Sequence, residues 1–320
     1  MKISQIAIFG STSHIAKGLI NNFLKSGRFR LHLYTRSTDV VSSFLDSIGK
    51  SSGNDSVIYE GYGDITKCNY DVVINCVGVG TLNKLRGKYS KYFMVTEEYD
   101  NLIIEYLLKN PDTLYISFSS GAVYGREHSS AVEENAVNSI RVNHVISEDY
   151  YAIARLNSEA KHRSFKDLNI VDLRLFSYFS RFIDLSDSYF ITEILDCIVN
   201  NKVFATNNVN IIRDYVHPED LFSMTQKCMD TDKINTAFDV NSTKPVEKRE
   251  ILDYFSMEYG LKYEKTSTLP HVSPTGTKNF YCSKYNKAFE IGYEPEFSSM
   301  DAIKGESRYI LNQQSNKCKR

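Results

Sequence analysis

Near the N-terminus, the stretch Phe9-Gly10-Ser11-Thr12-Ser13-His14-Ile15-Ala16 has the residue types and spacing to hold a pyrophosphate. It follows an apolar, β-type run and leads at once into a helical pattern, so backbone N–H groups and the positive helix end would converge on one anion. A dinucleotide-binding turn asks for Gly at positions 10, 13 and 16; this chain has Gly10, Ser13 and Ala16, and Ala suffices at the last of these. At position 13 the Ser Cβ sits where the phosphate should approach, while its hydroxyl adds a donor. Gly10, Ser11, Thr12, Ser13, His14 and Ile15 are the expected pyrophosphate residues. The second apolar run ends in Leu33-Tyr34-Thr35-Arg36-Ser37. An acidic residue there would hold the ribose 2′-hydroxyl of NAD, whereas Arg36 suits the 2′-phosphate of NADP. Asp64 and Ile65, after the third run, are expected against the adenine. Cys76, Val77 and Gly78 follow the fourth run, where the backbone passes close to the cofactor, and Gly80 extends that path toward the substrate. NADP is the expected cofactor, with NAD less favoured.

Two later segments bear on acid-base chemistry: Ser117-Phe118-Ser119-Ser120-Gly121-Ala122-Val123-Tyr124-Gly125 and Tyr151-Ala152-Ile153-Ala154-Arg155-Leu156-Asn157-Ser158-Glu159. Residues four apart share a helical face, which sets Tyr151 beside Arg155. A phenol with a pKa of about 10 is a poor base near neutrality, and a neighbouring cation lowers that value.

With these segments the chain resembles the extended short-chain dehydrogenase/reductase family of nucleotide-sugar epimerases, dehydratases and reductases. That family opens with GxxGxxG or GATSxIA, ends its fifth strand in SSxxVYG, and carries YxxxK on the next helix with a Glu four residues beyond the Lys. Ser120, Tyr151 and Glu159 stand in register, and Arg155 replaces the Lys. Arg174, the run Arg213-Asp214-Tyr215-Val216-His217-Pro218-Glu219-Asp220, the strand Ala237-Phe238-Asp239-Val240-Asn241 and the late Ile291-Gly292-Tyr293-Glu294-Pro295 match in the same order.

The resemblance implies hydride transfer between nicotinamide and a sugar carbon. Tyr151 would move the proton on the adjoining oxygen, Ser120 would hydrogen-bond that oxygen, and Arg155 would tune Tyr151 and bind the ribose. A planar guanidinium does not fill the space of an ammonium, so this exchange bears directly on rate. The resemblance further implies that Arg213 holds a diphosphate, and that Gly121 and Ser177 touch the substrate, Ser177 standing where the family has Asn. His217 is expected to be structural. Relatives that dehydrate carry Thr-Asp-Glu where this chain reads Ser120-Gly121-Ala122, which argues against dehydration. Reduction of a 4-keto nucleotide sugar for surface polysaccharide precursors is the favoured activity, given Arg36. The alternatives are a nucleotide-sugar 4-epimerase with tightly bound NAD and a non-catalytic NADP(H)-binding regulatory module.

The elements that must position these residues are written in the hydropathy pattern. Strand-like runs at Gln5–Phe9, Arg30–Tyr34, Val57–Glu60, Val72–Cys76, Thr113–Phe118 and Ile170–Leu173 alternate with helical patterns at Ile15–Lys25, Tyr92–Leu108 and Ser147–Phe165. Such alternation predicts an α/β fold, a doubly wound parallel Rossmann sheet. Residues 1–176 are expected to form the dinucleotide-binding domain, to which the chain returns around 214–242. Residues 177–213 and 243–312 form a smaller mixed α/β substrate-binding lobe, and 313–320 a disordered tail.

Of 320 residues, 42% are apolar and 24% charged, enough for a sizeable core, and a net charge of −1 provides no global field for nucleic acid or an anionic membrane. The longest apolar stretch, Val72 to Val79, falls far short of a membrane helix and is broken by Asn75. The six cysteines have no CxxC spacing, so no metal centre or disulfide framework is expected. A cytoplasmic protein with reduced thiols is the expectation. The resemblance adds a homodimer through the helices beside strands four and five, where Leu102, Ile103, Tyr106 and Leu107 offer apolar surface.

Overall fold

A computed structural model describes residues 4–53, 55–79, 85, 87–126, 129–266 and 279–317. Seven strands form its central sheet: β1 (Ser4–Phe9), β2 (Phe29–Thr35), β3 (Ser56–Glu60), β4 (Val72–Asn75), β5 (Leu114–Ser120), β6 (Ile170–Leu175) and β7 (Asn235–Val240). All pairings are parallel, in the order β7-β6-β5-β4-β1-β2-β3. The order reverses between β1 and β4, and a ligand crevice opens beyond the carboxyl ends of strands at such a switch point. This is the doubly wound Rossmann-type α/β fold expected from the alternating pattern.

Side chains leave alternate faces of each strand, and the two faces carry two cores. Ile6 and Ile8 of β1, Leu31 and Leu33 of β2, Val72 and Ile74 of β4 and Ile116 of β5 enter one cluster with helices α1 (His14–Ser26), α2 (Thr38–Ser47) and α6 (Pro218–Met229). Ala7, Phe9, Tyr34, Val73 and Tyr115 face the other way, against α3 (Lys91–Leu107). Ile103, Tyr106 and Leu107 are buried in that second cluster and Leu102 packs against it. These residues, offered above as surface for a homodimer, therefore serve the core, while Met94 and Leu108 are the exposed apolar residues of this stretch.

A third cluster lies in the later part of the chain. Helices α5 (Phe190–Val199), α7 (Lys248–Tyr259) and α8 (Ser299–Lys317) bring Ile191, Ile194, Leu195, Ile251, Leu252, Phe255, Ile303, Ile310 and Leu311 together. The pattern here is more regular than the sequence suggests, because each helix spreads its apolar residues over few turns between polar ones. Helix α8 continues to Lys317, so residues 313–317 of the expected disordered tail are helical, and 318–320 lie outside the described residues. With Ile310 and Leu311 anchored in the core, each further residue adds a backbone hydrogen bond without a second nucleation cost.

Among the described residues no helix is long and apolar enough to cross a membrane, and no group of three or more His, Cys, Asp or Glu could hold a metal ion. Cys68, Cys76, Cys197, Cys228 and Cys282 are free thiols.

Candidate active site

The turn after β1 is shaped by contact as much as by conformation. Gly10 has φ +72°, and a Cβ there would lie 2.9 Å from the backbone carbonyl of Cys76 and the nitrogen of Val77. The ends of β1 and β4 thus pass so close that only hydrogen fits between them. Ser11 is buried and ties the strands together, its N–H donating to Tyr34 O at 3.1 Å and its hydroxyl to Ile8 O at 2.9 Å. Ser13 donates its N–H to Gly10 O at 2.8 Å, and its Oγ accepts from Ala16 N at 3.3 Å. Its side chain is therefore the N-cap of α1, and the same hydroxyl reaches the Cys76 thiol, whose pKa burial raises. That engagement differs from the free phosphate donor expected of it. Thr12 sits half-buried on the turn, and His14 and Ile15 supply the first-turn N–H groups that α1 cannot satisfy internally.

The His14 ring faces away from this turn. It accepts from Ser180 N at 3.1 Å, packs 4.8 Å from the Tyr178 ring, and is pushed down to a pKa of about 4 by burial. Only its backbone is thus available to a pyrophosphate.

Gly10→Ala is expected to remove dinucleotide binding altogether, as titration calorimetry with NADPH and NADH would read. Left-handed backbone strain alone is of order 1–3 kcal/mol. The 2.9 Å approach to Cys76 adds a steric demand that neither strand end can yield to cheaply.

Around the crevice, the expected cofactor residues are brought to one edge but do different work. Arg36 is exposed just beyond β2, and the Thr35 hydroxyl accepts from Ser37 N at 3.0 Å to shape the turn that carries it. Asp64 directs its carboxylate to Lys67 at 2.6 Å, a surface pair, while Ile65 is buried in the core. The 3₁₀ turn Gly63–Lys67 rolls Ile65 inward and pairs Asp64 with the residue one turn later. Val77 N donates to Asn75 Oδ1 at 3.0 Å, and Gly78 is exposed with an Arg155 Nη2 3.0 Å from the place of its missing Cβ. Gly80 lies outside the described residues.

Tyr62 and Tyr99 complete this edge, and sequence reasoning missed both. Tyr62 packs 5.2 Å from Phe9 and 4.6 Å from Tyr99. Burial pushes its phenol up to about 12, against the opposing field of Arg36 and a hydrogen bond from the Gly10 backbone. Nothing in the spacing of 22 tyrosines marks these two; only the fold draws them to the turn.

Helix α4 (Ser147–Ser164) presents Tyr151, Arg155 and Glu159 on one face. The Arg155 guanidinium lies 5.5 Å from the centre of the Tyr151 ring, so the pair forms as the i, i+4 spacing predicts. Tyr92 packs with its ring centre 5.2 Å from that of Tyr151. One turn further, Glu159 accepts the Ser119 hydroxyl at 2.5 Å and three bonds from Arg174 at 2.6 to 3.1 Å. Arg174 Nη1 also donates to Tyr124 Oη at 2.7 Å, and Tyr124 donates to Asp239 at 2.9 Å. This buried network joins α4 to β5, β6 and β7, and thereby sets how far Tyr151 stands from the Ser119–Ser120 strand end.

Ser120 is buried, and its hydroxyl bonds Tyr281 Oη at 2.8 Å, a partner the sequence did not suggest. Gly121 is hemmed in by Phe176, whose ring would lie 2.4 Å from an added Cβ. Its small size thus serves aromatic packing. Ser177 heads the two-residue strand Ser177–Tyr178, paired in parallel with Tyr215–Val216. Arg213 is buried beside Tyr281, 5.8 Å from that ring, and donates to Ile212 O at 2.9 Å. Among the described residues it meets no carboxylate, and desolvation depresses its pKa. His217 caps α6 through its ring, stacks 3.9 Å from Phe297, and is structural as expected.

A family model for the NAD dependent epimerase/dehydratase family matches residues 6–240. The chain belongs to that family. Membership makes it an enzyme of NAD(P)-dependent chemistry, in agreement with the resemblance noted in the sequence. No curated protein sequence matches it significantly. Solved structures match across nearly the whole chain at low identity and share the fold. A UDP-glucose-4-epimerase from Stenotrophomonas maltophila with bound NAD superposes with a TM-score of 0.82 at 14% identity, covering 98% of this chain and 99% of that one. A UDP-N-acetylglucosamine 4-epimerase from Methanobrevibacter ruminantium follows at 0.79 and 14%, covering 98% and 100%. A UDP-glucose 4-epimerase from Thermotoga maritima gives 0.78 and 15%, covering 97% and 99%. Within this epimerase/dehydratase frame the departures at Arg155 and Ser177 stand out as local changes on an unchanged scaffold.

Proposed function

We propose that this family member is an NADP-dependent oxidoreductase that reduces a 4-keto nucleotide sugar. The observation that carries the reading is the Tyr151–Arg155 pair with its guanidinium beside Gly78, and the buried Arg213, which meets no carboxylate among the described residues, supports it. The tight turn at Gly10, with the free first-turn N–H groups of His14 and Ile15 after it, fits a dinucleotide pyrophosphate. A bound nicotinamide would supply the hydride. Tyr151 gives its phenolic proton to the carbonyl oxygen as the adjoining carbon gains the hydride, and the Arg155 charge favours the phenolate left behind. Ser120 holds that oxygen, and Arg213 takes the sugar nucleotide's diphosphate, the bidentate anion that a desolvated guanidinium needs.

Arg36 supports NADP over NAD, since it is exposed and forms no ion pair among the described residues. A second reading, a 4-epimerase retaining NAD, draws on the Stenotrophomonas maltophila epimerase, which was solved with NAD. The purified chain, offered UDP- and dTDP-4-keto sugars, is expected to oxidise NADPH stoichiometrically. Arg36→Ala should weaken NADPH roughly 10- to 150-fold, from about 1.5–3 kcal/mol per charge-assisted hydrogen bond, and leave NADH binding unchanged. Copurified NAD with no net NADPH consumption would favour the epimerase. Tight NADP(H) binding with no hydride transfer to any sugar would leave a regulatory module. A homodimer and a cytoplasmic setting belong to the same proposal, the first to be read as mass by light scattering.

A further inference from the structure

We infer that Gly78 is a positioning residue for Arg155, and that the guanidinium at the family's Lys position and the bare backbone at Gly78 work as one compensated pair. The inference rests on the proposed reading of the site and deepens it at Arg155, where the chain departs from its family. Arg155 Nη2 lies 3.0 Å from the point where a Cβ on Gly78 would stand, and no other heavy atom of the described residues, chain neighbours aside, comes within 4 Å of that point. The same guanidinium lies 5.5 Å from the centre of the Tyr151 ring. It makes no hydrogen bond or ion pair among the described residues, so the space open to it decides where it rests. Gly78 leaves that space open.

A non-bonded carbon prefers its neighbour at about 3.5–4 Å, so a methyl group at position 78 displaces Nη2 by roughly half an ångström. Nη2 belongs to the planar fork of Arg and has no counterpart on the linear stem and compact ammonium of Lys. A Lys at position 155 therefore makes no such demand on position 78. Nor does the backbone ask for glycine there, because Gly78, unlike Gly10, lies outside the left-handed region. Ala fits that conformation, and an effect of Gly78→Ala has to pass through what the added methyl group touches.

The displacement bears on the chemistry through Arg155. In the proposed reading its charge favours the Tyr151 phenolate and its donors hold the cofactor's ribose. Both depend on alignment, and a misplacement of about 1 Å can cost about 10²-fold in rate. A shift half as large leaves the fold intact, since Gly78 is exposed, and is felt in cofactor affinity and turnover.

The test is a double-mutant cycle on Gly78→Ala and Arg155→Lys, read as NADPH affinity by titration calorimetry and as kcat and KM with the best 4-keto nucleotide sugar. In the chain with Arg155, Gly78→Ala is expected to weaken NADPH about 5-fold and lower kcat about 10-fold, with KM for the sugar within about 2-fold of wild type. In the Arg155→Lys chain the same methyl group should change either quantity by less than about 2-fold. Equal losses in both backgrounds would mean that the methyl group meets the cofactor itself, and no loss in the chain with Arg155 would mean that the guanidinium yields freely. Either result overturns the inference, while wild-type turnover keeps the reading of the site intact. The binding arm needs no turnover, so it decides the inference even in a chain that reduces no sugar, an outcome that counts against the reading alone. A wild-type chain that binds neither NADPH nor NADH sinks both. A thermal melt of each variant matching wild type shows that it is folded.

Discussion

Tyr151→Phe is expected to lose turnover by roughly 10²- to 10⁴-fold and to bind cofactor as before, the span a positioned general acid contributes. The substitution removes one oxygen from a ring packed against Tyr92 at 5.2 Å and Arg155 at 5.5 Å, so shape and stacking survive. Tyr92 and Tyr281 are both held above the ordinary phenol range by burial, Tyr92 to about 12. Arg155 has no proton to give at any working pH. Single-turnover oxidation of NADPH, followed beside its binding isotherm, separates loss of chemistry from loss of cofactor. Full activity in the Phe variant would refute the role of Tyr151.

The largest expected stability effect lies away from the crevice, at His162. This imidazole is fully buried in α4 and bonds Asp172 through Nδ1 at 2.9 Å and Asp100 through Nε2 at 2.8 Å. Lys161 meets the far oxygen of Asp100 at 2.5 Å and Arg163 meets Asp172 at 2.6 Å. Asp100 also accepts from Tyr115, which in turn accepts from Asn75 at 3.0 Å, so the cluster reaches the strand end that carries Val77. His162→Leu leaves two buried carboxylates short of a partner, at a cost of roughly 3–5 kcal/mol.

Burial alone would lower the His162 pKa, but the charges and hydrogen bonds of Asp172 and Asp100 overcome it and raise it from 6.5 to about 9. A pKa raised on folding means that the folded chain binds the proton more tightly than the unfolded one. The resulting stabilisation is complete below about 6.5 and is lost as pH rises through about 9. Thermal melts of the wild type should therefore fall across that window, and those of His162→Leu should start lower and fall less. Parallel slopes in the two proteins would show that His162 is not the group responsible.

Much of the fold was legible because its signals are local. Alternation in Ile6-Ala7-Ile8-Phe9 assigns two side chains to each face of the sheet, and Ser13 followed by an apolar helical stripe starts α1 at His14. The Tyr151–Arg155 pair was legible for the same reason, since both lie on one turn of one helix. The Phe176 ring against Gly121 comes from another element and leaves no trace in local spacing.

By itself, the sequence determined the parallel α/β architecture, the turn at Gly10 and the phenol–guanidinium pair, each encoded within a few residues by period, spacing and conformational need. Only the tertiary structure decided the partner of Ser120, 161 residues away at Tyr281, the neighbour of Arg213, and the carboxylate cage of His162, whose Asp100 is 62 residues distant. Hydrogen bonds and ion pairs between such distant residues leave no local periodicity. They exist because the buried polar groups that packing brings together must satisfy one another.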